Sequence, residues 1–133
     1  MRKFNVHASK VKLHNLWSLY VRTRDGFRCQ WCGRYEKPGN AHHIVAKSIC
    51  QNAGRFEVEN GMHLCVNCHM NRVPTEHDEY IAFRDKWLAD RGIVYSELRA
   101  KYNASVKFDK DLYDLKTKVT TDMLTEALRS MGL

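Results

Sequence analysis

The alternation of apolar and polar residues predicts helices at both ends of the chain. Near the N-terminus, apolar residues recur at the spacing of one helical face. These residues are Leu13, Leu16, Trp17 and Tyr20. They predict a helix that starts with Ser9 as its N-cap and runs to about Arg24, where Asp25 and Gly26 are expected to end it.

The C-terminal part of the chain carries helical spacing three more times. A helix is predicted to start at Thr75, with Asp78 completing a capping box, and to end before Gly92. A shorter helix is predicted over 95–102, and a long one over about 110–131. The long helix can pack on the rest of the chain, contact DNA or form a dimer, and the sequence leaves these alternatives open.

The region between the helices has little helical spacing. Short strands are expected over 41–46 and near 62–64, and the segment 47–61 between them is expected to be mostly loop. The sequence therefore predicts an α+β fold in three segments: an N-terminal helix (1–26) packing on a central core (27–76), and a C-terminal helical extension (77–133).

The cysteines change this picture, because four of the five form two Cys-x-x-Cys pairs. Cys29 and Cys32 make one pair, Cys65 and Cys68 make the other, and 32 residues separate the pairs. Four thiolates suit the tetrahedral coordination of a structural zinc ion, which leaves no open position for chemistry. A redox role for either pair is the alternative. Cys50 is left over and is expected to be a small buried apolar residue.

Net charge narrows the possible partners. The chain has 22 Lys and Arg against 15 Asp and Glu, which gives +7. Such a surface favours polyanions, because neutralising phosphates releases counterions. No apolar run approaches the roughly 18 residues of a membrane span. The residues before Ala8 lack the apolar stretch of a signal peptide, so we expect an intracellular, cytoplasmic protein without membrane contact.

Histidines lie between and directly after the cysteine pairs. His42 and His43 are adjacent on the first predicted strand, Asn60 precedes the second strand, and His69 directly follows Cys68. Adjacent residues on a strand point to opposite faces, so both histidines can serve one site only if the strand ends or bends there. An imidazole with an ordinary pKa of about 6.5 can activate water near neutral pH.

From Cys29 to Pro74, about a third of the chain, the order of these residues resembles the HNH endonuclease family with its ββα-metal fold. The resemblance implies a short β-hairpin and a helix, stapled by zinc on the four cysteines. It also implies that His43 is the general base and that His42 and His69 bind a catalytic divalent ion: Mg²⁺, Mn²⁺, Ni²⁺ or Zn²⁺. Asn60 resembles the catalytic-loop asparagine that orients the base or, in some members, reaches the metal.

The resemblance departs from some family members at one position. These members have a further histidine one helical turn after the position of His69, where this chain has Val73 followed by Pro74. Few protein ligands are therefore expected for the catalytic ion, with water or phosphate completing its coordination. His77 is not expected to be a ligand.

The implied function is metal-dependent hydrolysis of phosphodiester bonds in DNA, most simply double-stranded DNA. The main alternative is a non-catalytic zinc module that binds nucleic acid. Such a module needs the cysteines and the basic residues, but not His43 or Asn60. A zinc module for protein interaction is a third possibility, and it gives the net charge no role.

Overall fold

The structure, a computed structural model, describes residues 3–132, and it is an α+β fold that is mostly helical. Met1, Arg2 and Leu133 lie outside the described residues, so the predicted segments 1–26 and 77–133 extend slightly beyond them. The helices are α1 (Val6–Arg24), α2 (Lys47–Arg55), α3 (Val73–Thr75), α4 (His77–Ala89), α5 (Tyr95–Lys101) and α6 (Lys110–Ser130). The strands are β1 (Asn40–His43) and β2 (Gly61–Leu64), with a 3₁₀ turn at Val58–Asn60 and a π-helical turn at Cys68–Arg72.

Helix α1 starts earlier than predicted and ends as predicted. The predicted N-cap, Ser9, is wrong: the cap is Asn5, whose side-chain Oδ1 accepts a hydrogen bond from the Ala8 amide at 3.0 Å. Asparagine caps a helix as well as serine does, so the first suitable residue of the amphipathic segment starts the helix. The helix ends at Arg24, with Asp25 as its C-cap.

The segment predicted to be mostly loop contains a helix, which is the main error of the sequence prediction. Helix α2 buries Cys50 and Gly54, four residues apart, and its backbone kinks at Gln51, where φ is +44°. At Gly54 the aromatic ring of Tyr102 packs so closely that an added Cβ would lie 2.6 Å from it. Two short buried residues do not make a visible apolar pattern, so the spacing does not reveal this helix.

The three later helices are present as the sequence predicts, and their boundaries differ from the prediction by one or two residues. The capping box at Thr75 and Asp78 is wrong, because α4 starts at His77 and no side chain caps it. Helices α5 and α6 both end one residue earlier than predicted, at Lys101 and Ser130. None of the helices in residues 3–132 combines the length and the apolar character needed to cross a membrane.

The two strands form an antiparallel hairpin that lies against α1. The register pairs Asn40 with Leu64 and His43 with Gly61, so β1 ends at His43. Gly61 is where α1 crosses the hairpin. An added Cβ there would lie 2.6 Å from a methyl group of Val21 and 2.8 Å from the ring of Trp17. A residue without a side chain therefore lets the helix approach the strand.

Two clusters of buried side chains hold the chain together. The first, here called the cysteine core, joins the hairpin to α2, α4 and α5. Its buried residues are Cys29, Ile44, Val45, Cys50, Met62, Leu64, Cys65, Cys68, Trp87, Leu88, Leu98 and Tyr102. The second, here called the aromatic core, joins α1 to the start of α6. Its buried residues are Leu13, Phe56, Phe108 and Tyr113.

Candidate functional site

The four cysteines of the two Cys-x-x-Cys pairs come together in one cluster. The Sγ atoms of Cys29, Cys32, Cys65 and Cys68 all lie within 4.8 Å of one another, and those of Cys32 and Cys65 are 3.7 Å apart. Tetrahedral zinc with Zn–S bonds of about 2.3 Å places its sulfurs about 3.8 Å apart. The cluster can therefore hold a metal ion such as zinc. Within residues 3–132 it is the one group of three or more His, Cys, Asp or Glu side chains close enough to share an ion.

Backbone hydrogen bonds preshape both halves of this cluster. The amide of Cys32 donates to Sγ of Cys29 at 3.5 Å, and the amide of Cys68 donates to Sγ of Cys65 at 3.4 Å. Gly33 closes the first turn with φ of +80°, a conformation that suits glycine. Burial raises the pKa of the Cys29 thiol, but amide donors from Cys32 and other residues outweigh it and lower the pKa to about 7. At Cys29 these donors favour the thiolate, which is the form that binds metal, whereas burial raises the pKa of the Cys65 and Cys68 thiols.

His42 and His69 lie side by side, on the side of the hairpin that faces α4. Their ring centroids are 5.3 Å apart, at 74° to each other. His42 Nε2 shares a hydrogen bond of 2.6 Å with the hydroxyl of Tyr80, which is buried on α4. His69 Nδ1 is buried and has no hydrogen-bond partner. An unpartnered buried ring nitrogen next to a second imidazole fits a metal-ligand pair.

His43 points toward the other side of the strand, against α1. Its ring stacks on that of Trp17, with centroids 4.0 Å apart and planes inclined by 14°. Nε2 of His43 lies 2.9 Å from the carbonyl oxygen of Arg55. A carbonyl can only accept, so Nε2 carries the proton and Nδ1 carries the lone pair. Trp17 is itself fixed, because its indole N–H donates to the carbonyl of Glu57 at 2.8 Å.

Both imidazoles on β1 are held neutral at neutral pH. Burial is the main reason that the pKa of His42 falls to about 3, and His69 and His43 lower it further. Burial also lowers the pKa of His43 to about 4, although the hydrogen bond to Arg55 opposes this. The pKa of Tyr80 is raised to about 12, mainly by burial, so its hydroxyl keeps its proton. Neutral imidazoles are the form needed for a metal ligand or a base.

Asn60 is fully buried, and its side chain makes no hydrogen bond to the histidine side chains within residues 3–132. Its Oδ1 accepts from the Val45 amide at 2.7 Å, and its Nδ2 donates to the carbonyls of Val45 and Gly54, both at 3.1 Å. These bonds tie the end of α2 to the residues that follow β1. Because Arg55, the residue after Gly54, accepts from His43, Asn60 acts on His43 only through the backbone.

The sequence predicts no role at the site for four residues that contact its histidines. Trp17 is predicted only as an apolar position on a helix, and nothing in the local pattern marks Tyr80, His14 or Arg55. The aromatic character of Trp17 and its position on one face with His14 give no hint that His43 stacks there. His63 lies on β2, and its Nε2 lies 2.9 Å from the carbonyl oxygen of Glu36, 27 positions earlier in the chain.

The arrangement thus combines a four-thiol cluster that could hold a metal ion with a pair of neighbouring imidazoles and a separately oriented third imidazole. His42 and His43 are adjacent at the end of β1, so the strand presents one ring to each side of a single chain segment. Val73, at the position of the additional family histidine, lies in α3 and packs against the cysteine core. No family model, no curated protein and no solved structure matches the chain.

Proposed function

We propose that the chain is a metal-dependent DNA endonuclease of the HNH type that hydrolyses phosphodiester bonds. The main support for the proposal is that the two adjacent histidines at the end of β1 have different surroundings. His42 lies beside His69, while His43 is oriented by the carbonyl of Arg55 with its Nδ1 lone pair available. The hairpin followed by the π-helical turn at Cys68–Arg72 supports a ββα-metal finger.

The zinc assignment rests on the cysteine cluster. Four thiols within 4.8 Å of one another suit one tetrahedral zinc ion per chain, and they leave no coordination position for substrate. Its role is to hold the start of the finger, at Cys29, against its end, at Cys68. The chemistry therefore falls to the histidines.

His42 and His69 fit the catalytic divalent ion, with water and phosphate oxygens as the remaining ligands. When bound, such an ion stabilises negative charge on the scissile phosphate and on the leaving oxygen. Tyr80 orients His42 through the 2.6 Å hydrogen bond to Nε2, which leaves Nδ1 as the nitrogen that would bind the ion. A second hydrogen bond of this kind is the usual way in which proteins fix a ligating imidazole.

His43 acts as the general base. Its Nδ1 takes a proton from a water molecule, and the water oxygen forms a bond to phosphorus as the bond between phosphorus and the leaving oxygen breaks. The leaving oxygen takes up a proton from solvent. The stack on Trp17 and the bond to Arg55 hold the ring in one orientation, so little freedom is lost in the transition state.

Asn60 serves as a positioning residue for this base. It keeps Gly54, and with it the Arg55 carbonyl, at a fixed distance from Val45 and the end of β1. The net charge of +7 gives the protein attraction for the duplex. Double-stranded DNA is the substrate that we propose.

The test is cleavage of supercoiled plasmid with added divalent ions. His43→Ala should lower the rate by about 10²–10⁴-fold, the usual contribution of a general base. His77→Ala is the matched control, because His77 is an exposed histidine at the start of α4. Both variants should keep the zinc content and DNA affinity of the wild type. Equal cleavage by His43→Ala and wild type would favour the non-catalytic zinc module instead.

His42→Ala and His69→Ala should behave differently from His43→Ala. They remove proposed ligands, so higher concentrations of the divalent ion should restore part of their activity. The rate of His43→Ala should not respond in this way, because no ion concentration replaces the missing base. A rate that recovers equally in all three variants would contradict the separate roles.

A further inference from the structure

A group of nitrogen-bearing side chains lies beside His43, outside the proposed metal pair. His14 on α1 stacks on the ring of His43, with centroids 5.9 Å apart and planes inclined by 20°. Arg55 holds His43 through its backbone carbonyl and ends α2, and Lys47 begins the same helix. We call His14, Lys47 and Arg55 the α1–α2 patch.

Two atoms of this patch are buried without a hydrogen-bond partner among residues 3–132. They are Nδ1 of His14 and Nε of Arg55. Buried polar atoms in folded proteins nearly always have a partner, so each unpartnered one calls for an explanation. A guanidinium N–H can only donate, and an imidazole nitrogen donates when protonated. A bound acceptor with several oxygens explains both atoms at once.

The charges around the patch have one sign. Burial lowers the pKa of His14 most, and Lys47 and Arg55 lower it further, so both cations lie near the ring. Among the ion pairs within residues 3–132, none involves Lys47 or Arg55. Two cations without an acidic partner, placed beside unpartnered nitrogens, attract an anion.

We propose that His14, Lys47 and Arg55 form a phosphate-binding site that holds a phosphodiester of the nucleic acid next to His43. The identity of the polymer rests on the proposed function, whereas the anion site follows from the patch itself. A phosphate group offers several acceptor oxygens, and arginine binds such groups through two parallel N–H bonds. Lys47 adds a point charge at the exposed edge.

The site gives Arg55 two roles that can be separated. Its backbone carbonyl fixes Nε2 of His43, and its side chain binds phosphate. One residue thereby sets the position of the base relative to the phosphate. Substitutions of the side chain leave the carbonyl in place, so they test phosphate binding without removing the orientation of His43.

The experiment measures binding of a fluorescent DNA duplex by anisotropy, without added divalent ions, over a series of salt concentrations. Arg55→Gln should remove one phosphate contact and so make the slope of log K against log salt less steep by about 0.9. The affinity lost by the variant should therefore be roughly tenfold greater at 0.1 M salt than at 1 M salt. Arg129→Gln is the control, since Arg129 is an exposed arginine in the last turn of α6. Zinc content and circular dichroism check that each variant is folded.

A second measurement uses inorganic phosphate as the probe. In NMR titrations, the Nε–H resonance of Arg55 should shift with phosphate, and that of Arg129 should not. If Arg55→Gln does not fold, the salt dependence of DNA binding is measured with Lys47→Gln instead. Lys47 is exposed, so this substitution should leave the fold intact. Slopes that match the wild type in the folded variants, or equal shifts of Arg55 and Arg129, would overturn the site. A changed slope in a chain that cleaves no plasmid would instead keep the anion site and reject the nuclease.

Discussion

The cysteine core and the aromatic core stabilise the chain by different physical means. Four thiols of the cysteine core lie at mutual distances that suit one metal ion. Backbone N–H groups donate hydrogen bonds to the sulfurs of Cys29 and Cys65 and so fix the two turns that carry the thiols. The aromatic core has no such group. Phe56, Phe108 and Tyr113 pack with ring centroids 5.1–6.3 Å apart, so burial and ring–ring contacts account for their contribution. The cysteine core contains a cluster that can hold a cation, whereas the aromatic core is formed by packed apolar and aromatic side chains.

The candidate site draws on both cores. His42 and His69 belong to the side of the hairpin held by the cysteines, whereas His43 stacks on Trp17 of α1, which packs on α6. A substitution in the cysteine core should therefore disturb His42 and His69, and a substitution in the aromatic core should disturb His43. The comparison predicts an all-or-none response to loss of metal and a graded response to changes among the helices.

The largest effect should follow from Cys68→Ser. Removing one thiolate should abolish zinc binding, and the apparent binding free energy of structural zinc, about 10–16 kcal/mol, is at least as large as the stability of a typical domain. We expect loss of zinc by metal analysis and loss of the cooperative thermal transition followed by circular dichroism.

Cys50→Ala is the matched control for this substitution. Cys50 is equally buried, but its Sγ lies outside the cluster and donates to the carbonyl of Val45 at 3.5 Å. This variant should keep one zinc ion per chain. The dependence on metal would be refuted if Cys68→Ser melted like the wild type.

A smaller and graded loss should follow from Phe108→Ala in the aromatic core. Phe108 is 6% exposed and packs between Phe56 and Tyr113. Truncation of such a ring typically costs about 3–5 kcal/mol. Denaturant unfolding should show this loss while the zinc content stays unchanged. Val106→Ala, at a site 37% exposed, should change the free energy of unfolding by no more than about 0.5 kcal/mol. Zinc loss in Phe108→Ala would show that the two cores are not separable.

Tyr80→Phe should affect the proposed catalytic ion without affecting either core. It removes the hydroxyl that bonds to His42 and keeps the ring that packs against Trp31. Loss of such an orienting bond typically lowers metal affinity by about 10–100-fold. Calorimetric titration of the zinc-loaded protein with Mn²⁺ measures this directly, with Tyr95→Phe as the control. An unchanged Mn²⁺ affinity would mean that Tyr80 does not orient a ligand.

The sequence predicts the parts of this molecule that depend on local chemistry. The cysteine spacing predicts the four-thiol cluster, and the apolar spacing predicts α5 and α6 to within one residue. Both patterns are formed by residues a few positions apart that bind the same ion or pack on the same face of a helix. The sequence correctly places His42 and His43 on a strand, but the predicted bounds of 41–46 are wrong, because β1 spans Asn40–His43.

The parts that were missed depend on contacts between distant residues. Trp17 and His43 are 26 positions apart in the chain and stack because α1 crosses the hairpin at Gly61. Tyr80 reaches His42 because α4 packs on the cysteine core. The bonds of Asn60 to Val45 and Gly54 exist only because α2 forms in a segment that reads as loop. The spacing of residues along the chain does not predict contacts between residues that are far apart in sequence.

The smallest effect should come from the N-cap of α6, and it tests whether the helical part responds in small steps. Asp109 accepts a hydrogen bond from the Leu112 amide at 2.9 Å, and its loss in Asp109→Ala should cost about 1 kcal/mol. Asp111→Ala is the control, because it removes a charge from the same first turn without removing a cap, at a cost of about 0.3–1 kcal/mol. Denaturant unfolding of both variants separates the effect of the cap from the effect of the charge, and both variants should keep their zinc.

Equal losses of stability in the two variants would assign the whole effect to the helix dipole. A larger loss for Asp109→Ala with full zinc content would show that α6 can be weakened in increments while the cysteine core stays intact, which is the difference between a core built by burial and one built by a metal ion.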